Sequence, residues 1–210
     1  NSVTVTAGGA LVTGFSIIGT DVSGTPSGSN NSVLVNSNGT WTNLGNITIG
    51  NSGGGSLTIA SGASVTANAL FLTDGAGSTG LLNIGTFGGN DAAGTLNLNG
   101  ASKSITFGSG YGAINFNQNN STTFSANISG AGVLNQLGMG TTILTGYNGY
   151  TKGTLITNGT LQVGNGGTNG TLGYGAVTNI ATLTFNRSDY AVVANDISGT
   201  GAVTQIGLSL

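Results

Sequence analysis

The chain has 210 residues, with 41 Gly, one Pro, one Met and one Trp, no Cys or His, and a formal net charge of −2. Three basic and five acidic side chains cannot assemble a phosphate-neutralising footprint for nucleic acid, and the absence of Cys removes disulfide frameworks and thiolate metal sites. An apolar share of 37% still supplies a core, unlike the charged, apolar-poor composition of disordered chains.

In chain order, the recurring local pattern is a short alternating triplet with apolar residues at both ends. It appears as Val3-Thr4-Val5, Val33-Leu34-Val35, Ile47-Thr48-Ile49, Leu57-Thr58-Ile59, Leu82-Asn83-Ile84, Leu96-Asn97-Leu98, Leu161-Gln162-Val163 and Leu183-Thr184-Phe185. Period two, bounded by Gly, Asn and Ser, predicts short half-buried strands. Helix is disfavoured, because Glu is absent, Lys and Arg are scarce, and Gly interrupts nearly every segment. No apolar run reaches the length of about 18 residues that a spanning helix needs, and no basic, apolar-cored leader opens the chain.

Two eleven-residue stretches echo one another. Ile128 to Gly138 (ISGAGVLNQLG) and Ile197 to Gly207 (ISGTGAVTQIG) match at six positions, and the same offset of 69 pairs Phe116-Asn117 with Phe185-Asn186. Constant-period self-similarity marks stacked units that bury their faces against their neighbours, which favours a solenoid over a sandwich or barrel. The expected fold is an all-β, right-handed, single-stranded parallel β-helix of about nine coils of roughly 22–25 residues, a rod on the order of 43 Å long. Three coils of 23 would span the offset, and the spacings Leu57 to Leu82 (25) and Leu161 to Leu183 (22) lie near that value. On this basis Ile114 is expected to answer to Leu183, Phe116 to Phe185, Ile128 to Ile197, Leu134 to Val203 and Leu137 to Ile206, all facing inward. Outward Thr, Asn and Ser are expected to form like-on-like ladders.

Gly130 to Leu161 resembles the passenger-associated repeat of bacterial autotransporters. The matching positions are Gly130, Gly132 and Leu134, then Gly138, Gly140 and Thr141, then Leu144 to Gly146 with Asn148, Tyr150 and Thr151, then Gly153 and Thr154, then Gly159 to Leu161. Gln136 stands where Lys is usual and Lys152 where Gly is usual. Upstream, Gly39-Thr40-Trp41-Thr42-Asn43, Ile47 to Gly50 and Gly53 to Val65 are similar to repeats of large autotransporter adhesins. The resemblance implies one continuous solenoid segment, with degenerate adhesin-type repeats over 1–124 and passenger-associated repeats over 125–210. It also implies a bacterial surface location, a C-terminal outer-membrane barrel in the parent protein that is absent from these residues, and adhesion through self-association, end to end or side by side, or through a host or bacterial surface. The second repeat breaks off at Leu208-Ser209-Leu210, so the stretch is expected to be a piece of a longer stack.

Catalytic chemistry has little material. Asp74 and Asp91 are 17 residues apart, less than one coil, and Asp189 and Asp196 are seven apart, with Arg187 two residues before the first and no His or Glu to serve as a tuned general acid. The expectation is no enzyme and no cofactor. Gly88 to Leu96 resembles the calcium-binding nonapeptide only in part and is not repeated. Among aromatics that could stack on a glycan, Trp41, Tyr147 and Tyr150 are the candidate ligand contacts, with Tyr111, Tyr174 and Tyr190 as further rings; the resemblance places Trp41, Tyr147 and Tyr150 at repeat positions and implies that Tyr147 and Tyr150 pack against a corner instead. The alternatives to an adhesive stalk are a glycan-binding or an ice-binding module, or a polysaccharide-degrading β-helix enzyme. Thr4-Val5-Thr6, Thr40-Trp41-Thr42 and Thr182-Leu183-Thr184 do not fall at one phase of the repeat, as an ice-binding face would require.

Overall fold

The computed structural model describes residues 1–20 and 30–207, so Asp21 and the Leu208-Ser209-Leu210 tail lie outside the described residues. Each of the eight alternating triplets falls within a strand, and every pair of named strands among the described residues is parallel.

The strands form three parallel ladders, visited in the same order on successive passes of the chain. The main ladder runs through nine strands: Ser2–Val5, Asn31–Val35, Gly54–Ile59, Thr79–Ile84, Ser104–Phe116, Asn127–Gln136, Gly153–Ile156, Val177–Asn179 and Ile197–Ser198. A flanking ladder follows it in two sheets. One holds Ala10–Thr13, Thr40–Asn43, Ser64–Ala67 and Thr95–Leu98; the other holds Ser121–Phe124, Thr141–Leu144, Thr160–Val163, Thr182–Phe185 and Ala202–Gln205. A branch ladder runs through Ser16–Ile18, Ile47–Ile49 and Leu70–Leu72. It joins the first halves of Ser104–Phe116 and Asn127–Gln136 and ends at Gly149–Tyr150. This all-β, parallel arrangement is compatible with a β-solenoid.

All three ladders contribute to one hydrophobic core. Along the main ladder, Val33, Leu57, Leu82, Ile114 and Leu134 are Cα partners in succession, and so are Val35, Ile59, Ile84 and Phe116; all nine are buried. The branch contributes Ile18, Ile49, Leu72 and Phe107 in the same manner. Phe116 reaches across to Phe124 of the flanking ladder, with ring centroids 5.0 Å apart and planes at 84°. Such edge-to-face pairs add roughly 0.5–1.5 kcal/mol to area burial. The intervening outward positions form a polar ladder: Asn83 donates to Thr58 Oγ1 (3.3 Å), Asn115 to Asn83 Oδ1 (2.9 Å) and Asn135 to Asn115 Oδ1 (2.8 Å).

The core is not wholly apolar. Inside the turn that follows Gln136, Gln118 donates to Thr142 Oγ1 (2.8 Å), which donates to Gln136 Oε1 (2.7 Å), while Gln136 Nε2 donates to the Gly138 carbonyl (2.9 Å). Gln136, where the repeat resemblance has Lys, therefore points inward and is fully buried.

The pairing register bears out the two spacings read from the triplets, since Leu57 pairs with Leu82 and Leu161 with Leu183. It corrects the 69-residue offset. Main-ladder steps run from 20 residues (Ile114 to Leu134) to 32 (Leu82 to Ile114), wider than the expected 22–25. Leu134 leads by successive pairs to Thr154, Val177 and Ile197, so Ile197 stacks over Leu134 and not over Ile128. Ile114, Phe116 and Leu134 lie on the main ladder, whereas Leu183, Phe185 and Val203 lie on the flanking one. Phe185 is half-buried, and Ile197, Val203 and Ile206 are exposed.

What repeats is a local unit: a strand, a glycine corner and a second strand. Gly130 (φ 90°) and Gly199 (φ 107°) occupy corresponding corners, and a Cβ on either would run into the carbonyl of the preceding pass, at Phe107 or Asn179. The first copy joins branch to main ladder, and the second joins main to flanking ladder. The same unit is thus used one ladder later.

Burial ranks the expected mutational costs. Phe116→Ala removes a fully buried ring and should cost about 3–5 kcal/mol. Phe185→Ala should cost less, and exposed Lys103→Ala should be nearly silent, all measured as shifts in urea midpoint.

Candidate functional site

The structure separates the three aromatic candidates. Trp41 is a core residue, only 3% exposed, and its Nε1 donates to Thr13 Oγ1 at 2.9 Å. Its neighbour Asn43 also points inward and accepts from Thr13 and Ser16, both at 2.8 Å. The Trp-Thr-Asn motif therefore ties two passes together and offers no ring face to a ligand. Tyr150 is fully buried, with its hydroxyl 2.7 Å from Thr154 Oγ1. Burial pushes its phenol up to about 12, against the opposing hydrogen bonds at Thr154 and Gly173. Tyr147 alone of the three is exposed.

Tyr147 stands on the rim of a cleft of about 680 Å³, within the range of ordinary ligand sites. Two rings weighed only as further candidates, Tyr174 and Tyr190, line the same cleft and are 81% and 86% exposed. The cleft lies where the branch ladder lapses. Beyond Gly149–Tyr150 the chain crosses this side without a named strand, first over 164–176 and then over 186–196. Glycine makes that path possible: Gly164, Gly166 and Gly170 all have positive φ.

Scattered backbone bonds remain here, such as Thr171 N–H to the Gly146 carbonyl and Tyr174 N–H to the Tyr150 carbonyl, and side-chain hydrogen bonds add to them. Asn148 Oδ1 accepts from Ile128 N–H (3.2 Å), and its Nδ2 donates to the Thr171 carbonyl (2.7 Å). Asn195 Nδ2 donates to the carbonyls of Gly173 and Gly175, both at 2.7 Å. Tyr174 packs over Gly149, where a Cβ would come within 3.3 Å of its ring. Arg187 pairs with Asp189 at 2.7 Å and also donates to the Gly170 carbonyl. The Arg187 hydrogen bond holds the half-buried Asp189 carboxyl below its usual value. This pair is the one ion pair among the described residues.

The repeat positions have structural assignments. Leu134, Leu144 and Leu161 are buried, and Gly132 lies against the Phe107 ring. Gly138, Gly140, Gly146 and Gly159 approach the backbone of the preceding pass too closely for any side chain, and Gly153 follows the exposed Lys152 at a corner. Asp91 is a turn residue, accepting from Thr86 N–H (2.9 Å) and Ser61 Oγ (3.2 Å). The threonine pairs do not build a continuous array: Thr42 pairs with Val12 and Thr66, and Thr184 with Gln162 and Thr204.

Comparison with known proteins finds similarity to the adhesin BmaC autotransporter of Brucella suis biovar 1 (strain 1330), 33% identical over 168 residues. The match covers 77% of this chain and 5% of the relative's length. No protein-family profile matches the chain, and no solved structure does.

Tyr150 gives a pH prediction. Its phenol ionises near 10 when unfolded and near 12 when folded, so the stability that depends on the neutral form is intact below pH 10 and lost as pH rises towards 12. The urea midpoint should fall across that window by the equivalent of roughly 2–3 kcal/mol, and Tyr150→Phe should remove that component.

Proposed function

We propose that this chain is a segment of an autotransporter passenger stalk, a right-handed single-stranded β-helix that displays adhesive surface on the outside of a bacterium. The similarity to an autotransporter adhesin over most of the chain carries this reading. The parallel ladders and the glycine positions of the passenger-associated repeat support it, because they describe a rod assembled pass by pass from short-range contacts. Residues 1–124 serve as degenerate adhesin-type repeats and 125–210 as passenger-associated repeats. The flanking ladder changes sheets between Leu98 and Ser121, shortly before that boundary. The role is non-enzymatic. In the parent protein a C-terminal outer-membrane barrel anchors the passenger, which meets copies of itself or another cell surface.

Surface labelling tests this reading. In cells producing the parent protein, a cysteine introduced at exposed Tyr111 should react with a membrane-impermeant maleimide, and deleting the segment should reduce adhesion or aggregation. Labelling only after cell lysis would overturn it.

The near-neutral exterior makes a further distinction. Contacts between such rods would use polar hydrogen bonds with little electrostatic steering. Aggregation of cells producing the parent passenger should therefore change little from about 0.05 to 0.5 M salt, where the Debye length falls from roughly 14 to 4 Å. A steep loss with salt would point to charge-driven contacts.

A further inference from the structure

We infer that the tyrosine-rimmed cleft binds an extended, uncharged oligosaccharide; this rests on the adhesive reading and names the partner class for it. The first observation is shape. The cleft crosses five successive passes, touching Ser104, Ser129, Tyr147, Tyr174 and Tyr190 in turn. At the spacing of paired strands, five passes extend about 19 Å, which suits a chain of several sugar rings.

The second observation is charge. Among the described residues Arg187 is the one charged side chain lining the cleft, and Asp189 and the Gly170 carbonyl already engage it. Among the lining residues no cation is left over to recognise a carboxylate, sulfate or phosphate. Sialylated and sulfated ligands are therefore disfavoured.

The third observation is the kind of surface. Tyr147, Tyr174 and Tyr190 are all more than 60% exposed and border one cleft. A tyrosine ring joins a flat apolar face to a hydroxyl. A sugar ring has the complementary form, with a C–H face that stacks and hydroxyl edges that hydrogen-bond. The exposed Ser102 and Ser129 line the same cleft as these rings. Gly149 lets Tyr174 lie close to the wall, so the ring is placed before any ligand arrives.

A peptide ligand fits less well. Peptides that add to a sheet need a free strand edge, but the N–H groups of Thr171 and Tyr174 on the cleft floor already donate to the carbonyls of Gly146 and Tyr150.

The test is titration calorimetry of the chain against linear, uncharged oligomers of glucose, N-acetylglucosamine, galactose and mannose, with an unstructured neutral peptide as the comparison. At least one oligosaccharide should bind saturably. Tyr174→Ala and Tyr190→Ala should each weaken it by about tenfold or more, while Tyr111→Ala, an exposed ring outside the cleft, should leave it unchanged. Gly149→Ala should also weaken binding, because it displaces Tyr174 without removing it. The inference is overturned if no oligosaccharide saturates, if only the peptide binds, or if a folded Tyr174→Ala/Tyr190→Ala variant binds as tightly as the parent chain. Any of these results leaves the surface labelling at position 111 unaffected, so the cleft and the passenger reading can fail separately.

Discussion

The parallel register between one pass of the chain and the next is the constraint on which everything else depends. There are no disulfides, no named helices among the described residues and one ion pair there, so cohesion comes from backbone ladders and the side chains they bring into line. When Val33, Leu57, Leu82, Ile114 and Leu134 are held in register, each buries its apolar surface against the next. The outward Asn83, Asn115 and Asn135 amides are aligned by the same register and bond in sequence. Apolar burial is worth roughly 25 cal/mol per Å², whereas an exposed ion pair adds about 0–1 kcal/mol. A chain almost without charge therefore forfeits little.

The glycines follow from that close stacking. At Gly140, Gly146 and Gly159 the carbonyl of the preceding pass occupies the space a Cβ would need. Gly112 and Gly132 instead make room for the Phe107 ring. The glycine spacing of the repeat thus records where adjacent passes touch. It also explains why neither Gln136 nor Lys152 disturbs the fold: one amide joins a buried hydrogen-bond chain, and the other side chain projects outward at a corner.

Strand positions were legible because alternation is a local property, and the Leu57–Leu82 and Leu161–Leu183 pairings because each spans a single pass. The 69-residue echo misled because sequence similarity records a local shape, strand–glycine–strand, that can be placed on any ladder. The circuit between the two copies is shorter than three coils of 23, so the second copy arrives one ladder later. Trp41 and Tyr150 both stand at repeat positions, where the resemblance implies an aromatic that packs, and strand alternation turns both inward. The cleft was least legible. Its walls at 164–176 and 186–196 have no strand period, and Tyr174 and Tyr190 converge only through the path of those two segments. The cleft proposed as a binding surface lies on irregular connections held by a rigid ladder, as is common for functional sites.

Directed disulfide formation tests the register most directly, because the chain contains no cysteine of its own. Paired strands place Cα atoms about 4.8 Å apart, inside the span of roughly 4.4–6.8 Å that a disulfide accepts. Asn83→Cys with Asn115→Cys, and Asn115→Cys with Asn135→Cys, should each oxidise to a disulfide and lose both free thiols. Asn115→Cys with Thr184→Cys, which a strict 69-residue repeat would stack on one ladder, should keep both thiols free. Ready closure of the 115–184 pair, with the 83–115 pair remaining reduced, would contradict the register and with it the stacked core.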